Sequence, residues 1–233
     1  MLTPPSTPPE PGPLRRVLGG VYELGYQGLR ALVLFFFRPL FLVRRVGPEP
    51  KLPDGPVIVC ANHASYFDPV FLQLMLPQRV VFVMTNDFYV LPLGRWFFWA
   101  ARAIPVASGR LAKTGLERAL LELRKGRAVG IFPEGRLSPD GSLGRPQRGV
   151  SLLARMGPAA ILPAGIFGNH RAWPRGASWG RRSDVRIAFG PLIPPPDSTP
   201  PGREAERAYA RQIMDAIAKA REVAREGGRS QAP

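Results

Sequence analysis

Cysteine is almost absent: Cys60 is the only one in 233 residues. A single thiol excludes an intramolecular disulfide framework and any metal site built from several cysteines. Histidine is scarce as well, with His63 and His170 alone. Basic charge is carried by 28 arginines and only four lysines, and acidic residues number 17 against 32 basic ones. The resulting net charge of +15 favours polyanions, acidic proteins, phosphorylated substrates or anionic lipid surfaces as partners. The start, MLTPPSTPPEPGP, has no basic segment joined to an apolar one, so no secretory leader is expected. A long unbroken apolar run is also missing. The most apolar stretch, ALVLFFFRPLFLV at 31–43, has thirteen residues, is interrupted by Arg38-Pro39 and is closed by Arg44-Arg45. A helix needs roughly 20 such residues to cross a bilayer. Two readings stay open for it. One is a buried core helix. The other, which three consecutive phenylalanines beside several arginines favour, is interfacial attachment, with Arg30, Arg38, Arg44 and Arg45 reaching the headgroups.

What is present is a pattern of short apolar runs alternating with helical segments. Prolines cluster at 4–13 and 191–201, which read as a loose tail and a loop. Residues 14–45 read as helical, in two pieces broken near Arg38-Pro39. Strands are expected at 56–61, 80–84, 103–107, 128–132, 160–164 and 185–189. Helices are expected after Asp68-Pro69, at 114–125 with Gly126 as the stop, near 148–155 and over 203–226. The alternation predicts an α/β fold: a single domain with a mostly parallel central sheet flanked by helices. The organisation expected is a flexible Pro-rich tail at 1–13, an N-terminal helical membrane-associating motif at 14–46, and the α/β domain with its C-terminal helix at 47–233.

Two polar stretches could carry chemistry. In VCANHASYFDPVF, 59–71, His63 follows a strand and Asp68 stands at the next helix start. Reacting groups in α/β sheets gather at such strand ends. A four-residue loop allows the carboxylate to fix one imidazole nitrogen and leave the other for substrate, the base–orienter half of a catalytic triad. The alternative is ordinary helix capping, with Asp68 as N-cap and Asn62 and Ser65 as loop residues. In GIFPEGRLS, 130–138, Glu134, Gly135 and Arg136 follow another strand. An arginine fork suits a phosphate, and Gly135 lets backbone approach a ligand. The alternative there is a turn with a surface arginine.

Together these stretches are more specific than either alone. Asn-His-x4-Asp followed by Phe-Pro-Glu-Gly-Arg-x-Ser resembles the glycerolipid acyltransferase family, best known for the 1-acylglycerol-3-phosphate (lysophosphatidic acid) acyltransferases. AIPVASGR, 103–110, resembles the family's second block, and AAILPAGIFG, 159–168, its fourth, with Pro163 central. The second block carries its basic residue late, at Arg110. The third reads Glu-Gly-Arg-Leu-Ser where Glu-Gly-Thr-Arg-Ser is common.

The resemblance covers about 50–190 and implies His63 as general base and Asp68 as its orienting carboxylate. Asn62 and Ser65 would shape that loop and, with Arg110, Glu134, Gly135 and Arg136, form the substrate-binding set, the third block holding the acceptor's glycerol phosphate. It implies acyl transfer from acyl-CoA or acyl-carrier protein to a lysophospholipid hydroxyl, giving phosphatidic acid without a covalent intermediate. No metal or organic cofactor is implied. The expected setting is an anionic membrane surface on the cytoplasmic face, peripheral or monotopic. Phe88, Tyr89, Trp96, Phe97 and Trp99 would line an acyl groove or pack as core. His170 reads as structural or superficial, and Cys60 as a buried strand residue. Other acceptors stay open: glycerol 3-phosphate, other lysophospholipids, a lyso-aminolipid. So does a non-catalytic basic membrane-binding protein. Nucleic acid is not expected as a partner, because no recognisable binding motif accompanies the charge. A serine hydrolase is set aside on the expectation that no Gly-x-Ser-x-Gly elbow is present.

Overall fold

A computed structural model describes residues 41–53, 55–85, 104–106, 111–178, 180–196 and 202–227, with helical residues 24, 25, 27, 28, 31, 32 and 35. The Pro-rich tail, Arg110 and the aromatic run at 88–99 lie outside the described residues.

Seven strands form one sheet: β1 (Phe41–Val46), β2 (Val57–Ala61), β3 (Val80–Thr85), β4 (Ile104–Val106), β5 (Ala128–Ile131), β6 (Ala160–Phe167) and β7 (Ser183–Phe189). Their spatial order is β1-β7-β6-β2-β5-β3-β4. All neighbouring strands pair in parallel except β6 with β7. Beside the helical residues at 24–35, four helices accompany them among the described residues: α1 (Asp68–Met75), α2 (Leu111–Arg124), α3 (Gly149–Met156) and α4 (Arg203–Glu226). The fold is the expected α/β domain with a mostly parallel sheet.

The strand sequences explain why the sheet is covered on both faces. β2, VIVCA, is buried at every position, as a strand packed on both sides must be. Alternate residues enter different cores, because side chains change face with period two. Val57, Val59 and Ala61 join Phe71 and Leu72 of α1 on one face. Ile58 and Cys60 join Leu120 and Leu123 of α2, Leu153 of α3 and Ile213 and Ile217 of α4 on the other. Burying each such aliphatic side chain contributes about 1.5–3 kcal/mol. In α4, Ala210, Ile213, Met214, Ile217, Ala220 and Ala224 are the buried positions, the spacing of one helical stripe.

One element differs from the sequence reading. Residues 41–45, expected to close a helical segment, form the edge strand β1. Its β-branched Val43 and Val46 align with Val185 and Ala188 of β7. Phe41 packs edge-on against Phe67 and Phe71, at centroid distances of 5.1 and 5.4 Å. Sheet pairing and this aromatic cluster outweigh the helical tendency of an apolar run. Among the described residues, no helix is long and apolar enough to cross a membrane.

Candidate active site

β6, β2 and β5 lie side by side and parallel, so their C-terminal ends reach one edge of the sheet. The His63 loop, the Phe132–Arg136 turn and the short 3-10 turn Asn169–Arg171 all start from that edge. Residues distant in sequence meet there.

His63 Nδ1 lies 2.9 Å from Asp68 Oδ2. The Asp68 side chain is fully buried and that of His63 is 15% exposed. Asp68 is not the N-cap of α1, which is Phe67; it is the first helical residue, with Pro69 behind it. Its side chain reaches back into the preceding loop, where Oδ2 also accepts the N–H groups of Ala64 and Ser65, each at 2.8 Å. Oδ1 accepts the Asn169 amide at 2.8 Å. Four donors converge on one carboxylate, which makes Nδ1 the protonated nitrogen of His63. Nε2 then carries the lone pair, and no partner for it occurs among the described residues. Phe132 stacks flat on the imidazole, centroids 3.9 Å apart and planes 13° apart. The ring's position is thus fixed by a face contact and an edge hydrogen bond.

The neighbouring polar residues hold the loop. Asn62 is buried and bonds the Ile166 backbone twice, accepting its N–H at 2.7 Å and donating to its carbonyl at 2.9 Å. This ties the end of β2 to β6. Ser65 is fully buried, and its hydroxyl oxygen accepts the Phe67 N–H at 3.2 Å. The Ser138 N–H donates to the His63 carbonyl at 2.7 Å.

Glu134, which the resemblance puts in the substrate-binding set, accepts backbone N–H groups with both oxygens, from His63 at 3.1 Å and from Gly144 at 2.9 Å. Burial pushes its carboxyl above the usual glutamate range, against the two hydrogen bonds that favour ionisation. Gly135 adopts φ +67, the left-handed region that glycine enters without strain, and turns the chain so that Arg136 is exposed. Arg136 has no ion pair or hydrogen bond among the described residues, and so remains available to an anion.

His170 does not join the pair. Its ring sits against Gly141, and burial, with Arg171 and Arg221, lowers its pKa. Cys60 is buried in β2, and burial pushes its thiol far up, so it is inert. Among the described residues, no group of three or more His, Cys, Asp or Glu could hold a metal. The serine-hydrolase expectation needs one correction: Gly176-Ala177-Ser178-Trp179-Gly180 does have the Gly-x-Ser-x-Gly spacing. Ser178 lies exposed in the segment before β7, not between a strand and a helix, and no histidine hydrogen-bonds it among the described residues. Sequence reasoning missed two residues of the site, Phe132 and Asn169. Phe132 lies inside the GIFPEGRLS stretch, and Asn169 stands beside His170 with no pattern to mark it.

A family model described as Acyltransferase matches residues 43–167, more than half of the 233-residue chain and the span that holds His63, Asp68 and Glu134. The chain belongs to the Acyltransferase family. Among the proteins it resembles is the chloroplastic 1-acyl-sn-glycerol-3-phosphate acyltransferase of Arabidopsis thaliana, 29% identical over 143 residues, or 60% of this chain and 40% of the relative. The 1-acyl-sn-glycerol-3-phosphate acyltransferase of Pseudomonas aeruginosa is 28% identical over 154 residues, 61% of this chain and 56% of the relative. The chain therefore spans about half the length of the curated relatives it matches. The crystal structure of the 1-acyl-sn-glycerophosphate (LPA) acyltransferase of Thermotoga maritima superposes with a TM-score of 0.64 at 21% identity, covering 93% of this chain and 90% of that one. At that identity the likeness establishes the shared fold of this acyltransferase-family chain.

Proposed function

We propose that the protein transfers an acyl group from an acyl thioester, acyl-CoA or acyl-carrier protein, to the free hydroxyl of 1-acylglycerol 3-phosphate, giving phosphatidic acid. The observation that carries this reading is the His63–Asp68 pair, with Nδ1 committed to a buried carboxylate at 2.9 Å. Nε2 takes the proton of the acceptor hydroxyl as its oxygen attacks the thioester carbonyl. The tetrahedral intermediate collapses, the C–S bond breaks, and the imidazolium returns the proton to the departing thiolate. No covalent enzyme intermediate is needed, and Ser65, buried and turned to backbone, offers no nucleophile. The intermediate's oxyanion needs preorganised donors; this reading assigns the backbone N–H groups of Arg136 and Leu137, because that of Gly135 already donates to the Phe132 carbonyl.

Arg136 is the proposed phosphate ligand, being exposed and free to bind bidentately. Asn62, Ser65 and Glu134 shape the loops, with Gly135 setting the approach of the third block. The reading needs no metal or organic cofactor. It sets the enzyme at an anionic membrane surface on the cytoplasmic face, where a lysolipid resides. Topology supports that setting. β7 runs antiparallel to β6 and β1 parallel to β7, so Phe41 begins at the sheet edge that carries His63. Leu24, Leu32 and Phe35 in the helical residues upstream are exposed.

The test is acyl transfer by purified protein in detergent micelles, with labelled lysophosphatidic acid and each donor separately, beside His63→Ala. Phosphatidic acid formed by the wild type and lost by at least about 10²-fold in the variant is the expected result. Equal activity in His63→Ala rules out the proposed base. Transfer only to another acceptor in a panel of glycerol 3-phosphate and other lysolipids keeps the chemistry and replaces the acceptor.

A further inference from the structure

We infer that Asn169 is a positioning residue for the His63–Asp68 pair. Its side-chain amide holds the Asp68 carboxylate in the orientation that leaves Oδ2 to His63. The inference rests on the reading of His63 as base.

The two carboxylate oxygens of Asp68 have different surroundings. Oδ2 faces its own loop and meets three donors: His63 Nδ1 and the N–H groups of Ala64 and Ser65. Oδ1 has one donor, Asn169 Nδ2 at 2.8 Å. Asp68 is fully buried and Asn169 is 1% exposed, so bulk water does not compete for the bond. An ionised acceptor makes such a hydrogen bond stronger than a neutral one. Only the amide nitrogen can serve here, because the amide oxygen would meet a carboxylate with two lone pairs opposed.

Asn169 arrives from a separate element, 101 positions along the chain, and its placement is built into the turn after β6. Gly168 precedes it with φ +81. A Cβ at that position would collide with the Asp184 carbonyl. The Ala172 N–H closes the turn on the Asn169 carbonyl at 2.9 Å. The Tyr66 N–H donates to the Trp173 carbonyl at 3.1 Å, which stitches the same turn to the His63 loop. The strand end, the turn and the loop thus form one frame with the Asn169–Asp68 bond inside it. Without the amide, Oδ1 is buried with no donor, and the carboxylate gains by turning toward other donors at the expense of its bond to the imidazole.

The test uses Asn169→Ala and Asn169→Ser in the full chain. One readout needs no turnover: the downfield proton resonance of His63 Nδ1, identified by its loss in His63→Ala. The other is steady-state transfer from acyl-CoA to lysophosphatidic acid. Asn169→Ala is expected to lose or broaden the resonance and to lower kcat about ten- to hundredfold, with the acceptor KM unchanged. Asn169→Ser, which keeps a shorter donor, is expected to recover part of both. A retained resonance, or an unchanged kcat, in folded Asn169→Ala overturns the inference. If Asn169→Ala does not fold, Asn169→Ser is judged against wild type on the same two criteria. A wild type inactive on every donor and acceptor refutes the functional reading instead, and the resonance alone then decides the role of Asn169.

Discussion

The Glu134 side chain accepts the backbone N–H of His63 at 3.1 Å. A carboxylate from the β5 turn thereby holds the main chain of the residue that carries the imidazole. Its second oxygen accepts the Gly144 N–H, so one side chain joins two loops at the sheet edge. Substitution by Gln keeps one acceptor and points an NH₂ group at a backbone donor. Glu134→Gln is expected to lower stability by about 1–3 kcal/mol and to reduce kcat more than acceptor KM, read by thermal melting and steady-state kinetics. The sign of its pH dependence follows from burial, which raises the Glu134 pKa. The associated stability is fully present below the unfolded value of about 4.3 and is lost as pH rises through the folded value. Glu134→Gln, uncharged throughout, removes that part of the slope. An identical pH profile in wild type and variant would refute it.

Asp68→Asn tests the other partner of His63. The carboxylate accepts four hydrogen bonds in a fully buried position. An amide in its place presents a donor to other donors and lets the imidazole tautomer reverse. Transfer is expected to fall about 10²–10⁴-fold, with a lowered melting temperature. Full activity with a lowered melting temperature would reduce Asp68 to a structural residue.

Much of this site was legible in the sequence, and the limits have physical causes. His63, Asp68 and Glu134 follow strands whose β-branched, apolar composition marks them, so their place at strand ends could be read from order alone. The alternation of helices and strands gave the parallel sheet in the same way. Asn169 could not be found, because its value depends on Gly168 entering the left-handed region and on contact across 101 positions. The bonds of Glu134 to two backbone N–H groups were not legible either, because both donors come from other loops. β1 was missed because FLVRRV pairs on one side only, and its exposed arginines obscure strand alternation.

Arg136→Ala separates headgroup binding from chemistry. Arg136 is exposed and lies two residues from Ser138, whose N–H bonds the His63 carbonyl. Removing a guanidinium that binds phosphate bidentately is expected to raise the KM for lysophosphatidic acid about tenfold or more, with kcat changed less. Kinetics on phosphorylated acceptors decide it: an unchanged KM for all of them takes Arg136 out of the phosphate site.

The junction of β1 with β7 gives a prediction in acid. Asp184 accepts Arg44 at 3.0 and 3.1 Å and Arg186 at 2.8 and 3.1 Å. Partial burial pushes its carboxyl up, but the hydrogen bonds from Arg186 and Arg44 outweigh this and hold it below the usual aspartate range. Its contribution to stability is therefore present above the unfolded value of about 3.9 and is lost as pH falls through the lower folded value. The side chain is 34% exposed, and solvent screening keeps the contribution below about 1 kcal/mol. Asp184→Asn is expected to melt slightly lower than wild type at pH 7, with the difference shrinking as pH drops through the depressed value. Because Arg44 belongs to β1, the loss should appear first as faster amide exchange along Phe41–Val46. A difference that persists or grows in acid would mean that packing at this edge, and not the ion pair, sets the effect.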